Sequence, residues 1–210
     1  MANPNFQDDS LLGRLRDIYT NISGLLTDIV LAARTARIGT VSGVLKEIRT
    51  SKVIDGGLGA YAANDVVSNE DCCATTAVCW TFTEVVRANG EHGYITGAII
   101  DSESESVTPR LTLYLFNATP TSNLIDNAAN TAPDCADILK YVGKIDFPAL
   151  ESLGTTDSTA IATPSTVGNL PLPFKCATAD DNLYGILVTR DVFTQSAGDD
   201  IYITLPVEQY

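Results

Sequence analysis

Histidine is almost missing from this 210-residue chain: His92 is the only one. Hydrolase triads are built around a positioned base, most often histidine. His92 stands alone in a turn-rich stretch, with no Gly-x-Ser-x-Gly elbow elsewhere, and reads as a surface residue. Basic residues are also scarce, with 13 Lys and Arg against 26 Asp and Glu, a net charge of −13. Such a surface repels phosphate backbones, so nucleic acid is not an expected partner. No apolar run approaches the roughly 18 residues of a membrane span. The start, MANPNFQDDS, has no basic region leading into an apolar segment, so no export signal is expected. Cys72, Cys73, Cys79, Cys135 and Cys176 lack the paired Cys-x-x-Cys spacing of a zinc site. In a chain without an export signal they are expected to be reduced and buried.

What the sequence does contain is organised by its N-terminal stretch. Leu11, Leu15, Ile18, Ile22, Leu25, Ile29, Ala32 and Ala36 follow one another at alternating gaps of four and three. That is a heptad seam, the pattern by which one helix meets another. Leu12, Tyr19 and Leu26 widen it. Asp8, Asp9 and Ser10 are good cap residues, so a helix is predicted over about 11–37. Gly13 and Gly24 weaken it intrinsically, leaving packing to hold it. Val41, Val44, Leu45 and Ile48 have helical spacing in a shifted phase and predict a second short helix over 40–49. Residues 1–50 form the expected helical oligomerisation and anchoring segment. Gly56, Gly57 and Gly59 mark a joint over 51–59. The glycines lack the Lys-Ser/Thr of a phosphate loop, so they read as a hinge.

From residue 60 to 210 the period changes. Short runs of Val, Ile, Thr, Tyr and Phe alternate with Gly, Pro, Asn and Asp. Strands are predicted over 65–68, 78–87, 94–101, 110–116, 138–146, 172–176, 183–189 and 201–206. Asn89-Gly90 and His92-Gly93 predict a hairpin between the second and third. Ser152 to Gly168 is polar and rich in small residues, and reads as a long loop or an embellishment. The fold class is therefore mainly β: a helical stem, then an antiparallel β-sandwich of jelly-roll type. The charge is unequally shared. Residues 1–50 carry six basic and five acidic side chains, and the rest carry seven and 21.

Other candidate chemistry reads more plainly as structure. Asp180-Asp181 and Asp199-Asp200 offer oxygen ligands for calcium. Both sit before predicted strands, where turn residues belong. Among 26 acids some carboxylate pair always exists, so composition alone says nothing of glycoside hydrolysis. Trp80 is flanked by Val78 and Phe82 at strand spacing, which favours core packing over a sugar platform. No catalytic residue, cofactor-binding residue or metal ligand is assigned, and no cofactor is expected.

Several phrases of the β part resemble small virion structural proteins of tailed bacteriophages. They are Gly59-Ala-Tyr-Ala-Ala-Asn-Asp-Val-Val, Gly93-Tyr-Ile-Thr-Gly-Ala-Ile-Ile, and Leu111-Thr-Leu-Tyr-Leu-Phe-Asn with Pro120 and Asp126-Asn127-Ala128. Leu183-Tyr-Gly-Ile-Leu-Val-Thr-Arg completes the set. The resemblance spans about 150 residues and carries over no catalytic residue. It implies an oligomeric decoration, cement or fibre protein of the virion, assembled in the host cytoplasm.

The expected function is thus non-enzymatic. Leu11, Leu15, Ile18, Ile22, Leu25 and Ile29 would join copies of the chain, with a homotrimer preferred. The stem would attach to the major capsid protein or another virion protein. Neither nucleic acid nor a membrane is an expected partner. The rival readings are a tail or head fibre adhesin that binds a host glycan through aromatics such as Tyr61 or Tyr94, and a virion-associated glycan hydrolase.

Overall fold

The computed structural model describes residues 13–24, 44–54, 59–69, 77–154, 156–165, 169–194 and 198–210. The chain divides into two compact units, Met1–Ser42 and Gly43–Tyr210. In the first unit, residues 13–24 form a helix, α1. Leu15, Ile18, Tyr19 and Ile22 recur at three- and four-residue steps along it, and all are at least half exposed. The Thr20 hydroxyl donates to the Arg16 carbonyl at 2.8 Å, one turn back. The continuation of the helix to 37, and with it Leu11, Leu25 and Ile29, lies outside the described residues.

Among its described residues the second unit is built of β-strands, 14 in number, with one short 3-10 turn. In order they are β1 (Val44–Val53), β2 (Ala60–Tyr61), β3 (Val66–Val67), β4 (Trp80–Phe82), β5 (His92–Ile95), β6 (Ala98–Ser102) and β7 (Arg110–Phe116). There follow β8 (Tyr141–Ala149), β9 (Glu151–Ser152), β10 (Ser158–Ala162), β11 (Leu172–Lys175), β12 (Leu183–Thr189), β13 (Phe193–Thr194) and β14 (Asp200–Gln209).

All pairings are antiparallel. In the seven-stranded sheet, β14 pairs with β1 along one side, and with β6 and then β5 along the other. Strand β6 leads on to β10 and β9, and β5 to β11. In the five-stranded sheet, β12 lies between β7 and the pair β3 and β4, and β8 forms the far edge. If β3 and β4, β5 and β6, and β10 and β11 are each taken as one interrupted strand, and the two-residue strands β2, β9 and β13 are set aside, eight strands remain. The first, eighth, third and sixth form one sheet, and the second, seventh, fourth and fifth form the other. That order defines a jelly roll, two Greek keys closed face to face. Ile100, Ile203 and Leu205 from one sheet meet Leu113, Leu187 and Trp80 from the other in one buried core.

Pro206 explains why the third strand is interrupted. Its carbonyl accepts from the Thr96 N–H at 2.9 Å, so that side of Pro206 faces the β5–β6 line. A strand residue points its N–H and C=O the same way, and proline has no N–H to give. The ladder breaks at Thr96 and Gly97, opposite that missing donor.

Three expectations need correction. The stretch predicted as a second helix, 40–49, is a strand from Val44 onward. Ten consecutive pairs with β14 outweigh the local helical spacing of Val44, Leu45 and Ile48. The β unit therefore begins at Gly43, not at 60, and the first part of the predicted joint is the end of β1. The predicted hairpin around Asn89-Gly90 does not form. Strand β4 belongs to the five-stranded sheet and β5 to the seven-stranded one, so the turn carries the chain across the sandwich. Gly90 still serves as a turn residue, at φ 76°. Finally, the supposed loop 152–168 contains β10.

Candidate assembly surfaces and a buried lysine

The two sheets differ on their outer faces. The connection between β7 and β8, residues 117–140, folds over the outside of the five-stranded sheet. Tyr114, Phe116, Ile186 and Val188 are buried there against Ala132 and Leu124. Asp137 anchors that cover from a short 3-10 turn, Cys135–Asp137. Its side chain is fully buried and accepts from the N–H groups of Thr121 and Ser122 at 2.8 and 2.7 Å. It also accepts from the Ser122 hydroxyl at 2.7 Å and the Lys140 ammonium at 3.1 Å. Burial alone would raise its pKa, but the donors from Ser122, Thr121 and Lys140 outweigh it. They hold the carboxyl far below the usual range.

The outside of the seven-stranded sheet has no such cover among the described residues. The alternation of β1 places Leu45 and Val53 outward, 63% and 55% exposed, and β10 adds Ile161 at 55%. At one end His92, Tyr94 and Tyr210 form an aromatic cluster. His92 stacks on Tyr210 with ring centres 6.0 Å apart, and Tyr94 meets Tyr210 edge-on at the same distance. Sequence reasoning placed His92 in a surface turn; it is an exposed residue opening β5. Tyr61, offered as a loop aromatic, is buried instead. It stacks on Phe193 at 4.6 Å and donates to Asp126 at 2.8 Å.

Of the predicted seam, Leu15, Ile18 and Ile22 do share an exposed stripe of α1. The other sequence candidates settle into structural roles. Trp80 is a core residue, and its indole N–H donates to the Val67 carbonyl at 3.2 Å. Asp180 closes a turn, accepting from the N–H groups of Asp181 and Asn182 at 2.8 and 3.1 Å. Asp200 and Glu103 both contact the Tyr202 hydroxyl at 3.0 Å, and these carboxylates push that phenol up to about 12. Among the described residues no group of three or more His, Cys, Asp or Glu side chains is placed to hold a metal. Cys79 and Cys176 are buried free thiols, and Cys135 is exposed, against the expectation. Burial raises both buried thiols, Cys176 to about 12, so neither is thiolate at neutral pH. Cys72 and Cys73 lie outside the described residues.

Sequence reasoning missed one polar centre altogether. Lys52 points inward from β1 and is only 8% exposed. It borders a pocket of about 640 Å³, also lined by Asn69, Val78, Cys79 and Thr81. Its ammonium donates to the Asn69 side-chain oxygen at 2.8 Å, to the Ser68 hydroxyl at 3.4 Å and to the Val78 carbonyl. The amine also lies 5.5 Å from the centre of the Trp80 ring. Burial lowers its pKa to about 8, against opposing pulls from Cys79 and Asp126. Nothing in the sequence could signal this cluster, because strand pairing assembles it.

No protein-family model matches the chain, and no curated protein matches it. Solved structures do. The chain is similar to one from the capsid of Ralstonia phage GP4, with 18% identity and a TM-score of 0.39, covering 82% of this chain and 89% of that one. A chain of the cyanophage Pam1 capsid asymmetric unit gives 12% identity and 0.31 over 82% and 89%. Tomato aspermy virus gives 6% identity and 0.35 over 89% and 95%. These structure neighbours are phage and viral proteins. The jelly-roll assignment itself rests on strand order and register.

Proposed function

We propose that this chain is a non-enzymatic structural protein of a tailed-phage virion, decorating or cementing the shell. Helix α1 would join copies of the chain through Leu15, Ile18 and Ile22, with Leu11, Leu25 and Ile29 extending the same seam. A homotrimer is the preferred assembly. The acidic jelly roll would face outward or bridge neighbouring subunits, with the major capsid protein as the further partner and neither nucleic acid nor membrane involved. The protein would reside in the virion, assembled in the host cytoplasm. The observation that carries this reading is the helix stripe: three large aliphatic side chains in register, each more than half exposed. Burying each on association is worth roughly 1.5–3 kcal/mol. The jelly roll agrees, since that fold serves in viral capsids.

The test is a double substitution, Ile18→Asp with Ile22→Asp. Sedimentation should show an oligomer for the parent chain and a monomer for the variant, with the β circular dichroism retained. The variant should also stop co-sedimenting with intact particles. An oligomer of unchanged size in the variant would remove the seam from the account.

A second reading has its own observation. The exposed cluster of His92, Tyr94 and Tyr210 offers aromatic surface of the kind that stacks on sugar rings. On that reading the chain is a fibre or adhesin that binds a host glycan. A glycan array probed with Tyr94→Ala beside the parent chain separates the two.

A further inference from the structure

We propose that the Lys52 amine condenses with the Asn69 carboxamide, forming an internal isopeptide bond that ties β1 to the segment leaving β3. The proposal stands on the geometry of the buried polar centre, and it holds whether or not the chain belongs to a virion.

The two reacting groups are already together. The lysine nitrogen lies 2.8 Å from the Asn69 oxygen. A carbonyl bond is about 1.23 Å long, so that nitrogen is no more than about 4 Å from the carbon it must attack. Productive approach begins at about 3–3.5 Å, a rotamer adjustment away. Lys52 is held on a strand, and Asn69 follows the buried, hydrogen-bonded Ser68. Lys52 is paired with Ile201 of β14, the central strand. The backbone N–H of Ser68, next to Asn69, donates to buried Asp126 at 2.7 Å, and Tyr61 fixes the other oxygen of that carboxylate.

The surroundings suit the reaction. The Ser68 hydroxyl lies 3.4 Å from both the lysine nitrogen and the Asn69 oxygen, so it can donate to the oxygen as charge develops there. Trp80 walls one side of the amine. Burial makes the neutral, nucleophilic amine accessible near neutral pH. Asn69 itself is exposed, which gives the leaving group a path to solvent.

The step balances without an oxidant or co-reactant. The nitrogen lone pair of neutral Lys52 forms a bond to the Asn69 side-chain carbon. A proton passes from that nitrogen to the carboxamide nitrogen, the carbon–nitrogen bond breaks, and ammonia leaves. An amine and a primary amide become a secondary amide and ammonia, and no atom changes oxidation state.

Peptide mapping of the full chain by tandem mass spectrometry tests it, on freshly purified protein and after incubation at about pH 7 and about pH 9, below and above the amine's own value. The expected result is a branched peptide joining Lys52 to Asn69, lighter than its two parts by one ammonia. It should form faster at the higher pH and be absent from Asn69→Ala. Intact mass alone does not suffice, because Asn89-Gly90 can also lose ammonia by cyclising. Should Asn69→Ala fail to fold, the map of the parent chain still decides. Recovery of Lys52 and Asn69 only in separate, unmodified peptides after both incubations overturns the proposal.

Discussion

Single side chains in this protein hold positions that tolerate little change, and Gly185 shows why. It lies within β12, on the face turned to the core. A methyl group there would come within 2.8 Å of Leu113, 3.2 Å of Phe82 and 3.3 Å of Trp80. Gly185→Ala is expected to destabilise the β unit by about 1–3 kcal/mol through overpacking. Chemical unfolding should show a lower midpoint with an unchanged slope. Asp137 is the other sensitive position. Asp137→Ala strands the buried N–H groups of Thr121 and Ser122, and should cost about 3 kcal/mol or more. The sign of its pH dependence follows from its depressed pKa. Its contribution is fully present above the ordinary carboxylate value of about 3.9 and is lost as pH falls below it toward the folded value. Thermal melts from neutral pH down to about pH 3 should therefore fall more steeply for the parent chain than for Asp137→Ala.

Strands and connections carry the next level of consequence. Strand β1 covers one whole side of β14, so its removal would expose ten residues of unpaired backbone on the central strand. A chain shortened to begin at Gly43 should stay folded and monodisperse. One begun at Gly57 should aggregate, and light scattering distinguishes the two. This contrast also marks where the sequence was readable. Strands β7 and β12 were recognised at their observed limits, because both are dense in Leu, Val, Ile and Tyr between polar turns. Strand β1 was misread because Val44, Leu45 and Ile48 imitate a helical step. Its true outward alternation of Leu45, Glu47, Arg49, Ser51 and Val53 mixes apolar with charged residues. Strand β10 was missed because Ser158-Thr-Ala-Ile-Ala is small and weakly patterned; only its pairing with β6 makes it a strand. The exposed stripe of α1 was legible from spacing alone. The Lys52 cluster was not, since Lys52 and Asn69 meet only once β1 and the β3 exit are folded together.

At the scale of the whole molecule, charge is segregated between the units. Residues 1–42 hold four basic and four acidic side chains, and Gly43–Tyr210 hold nine and 22. The entire net charge therefore belongs to the jelly roll. Solubility should fall to a minimum near pH 4.3, where that repulsion vanishes. Turbidity scanned across pH checks this, and added salt should broaden the loss by screening what repulsion remains.

The position of β14 has a consequence for how the molecule comes into being. Among the described strands it is the last in sequence, yet it occupies the middle of its sheet and partners the first. During synthesis on a ribosome, everything from β1 onward emerges without the element that seals the larger layer. A nascent chain stalled before Asp200 should remain sensitive to protease, and resistance should arrive abruptly once the final ten-residue rung clears the exit tunnel.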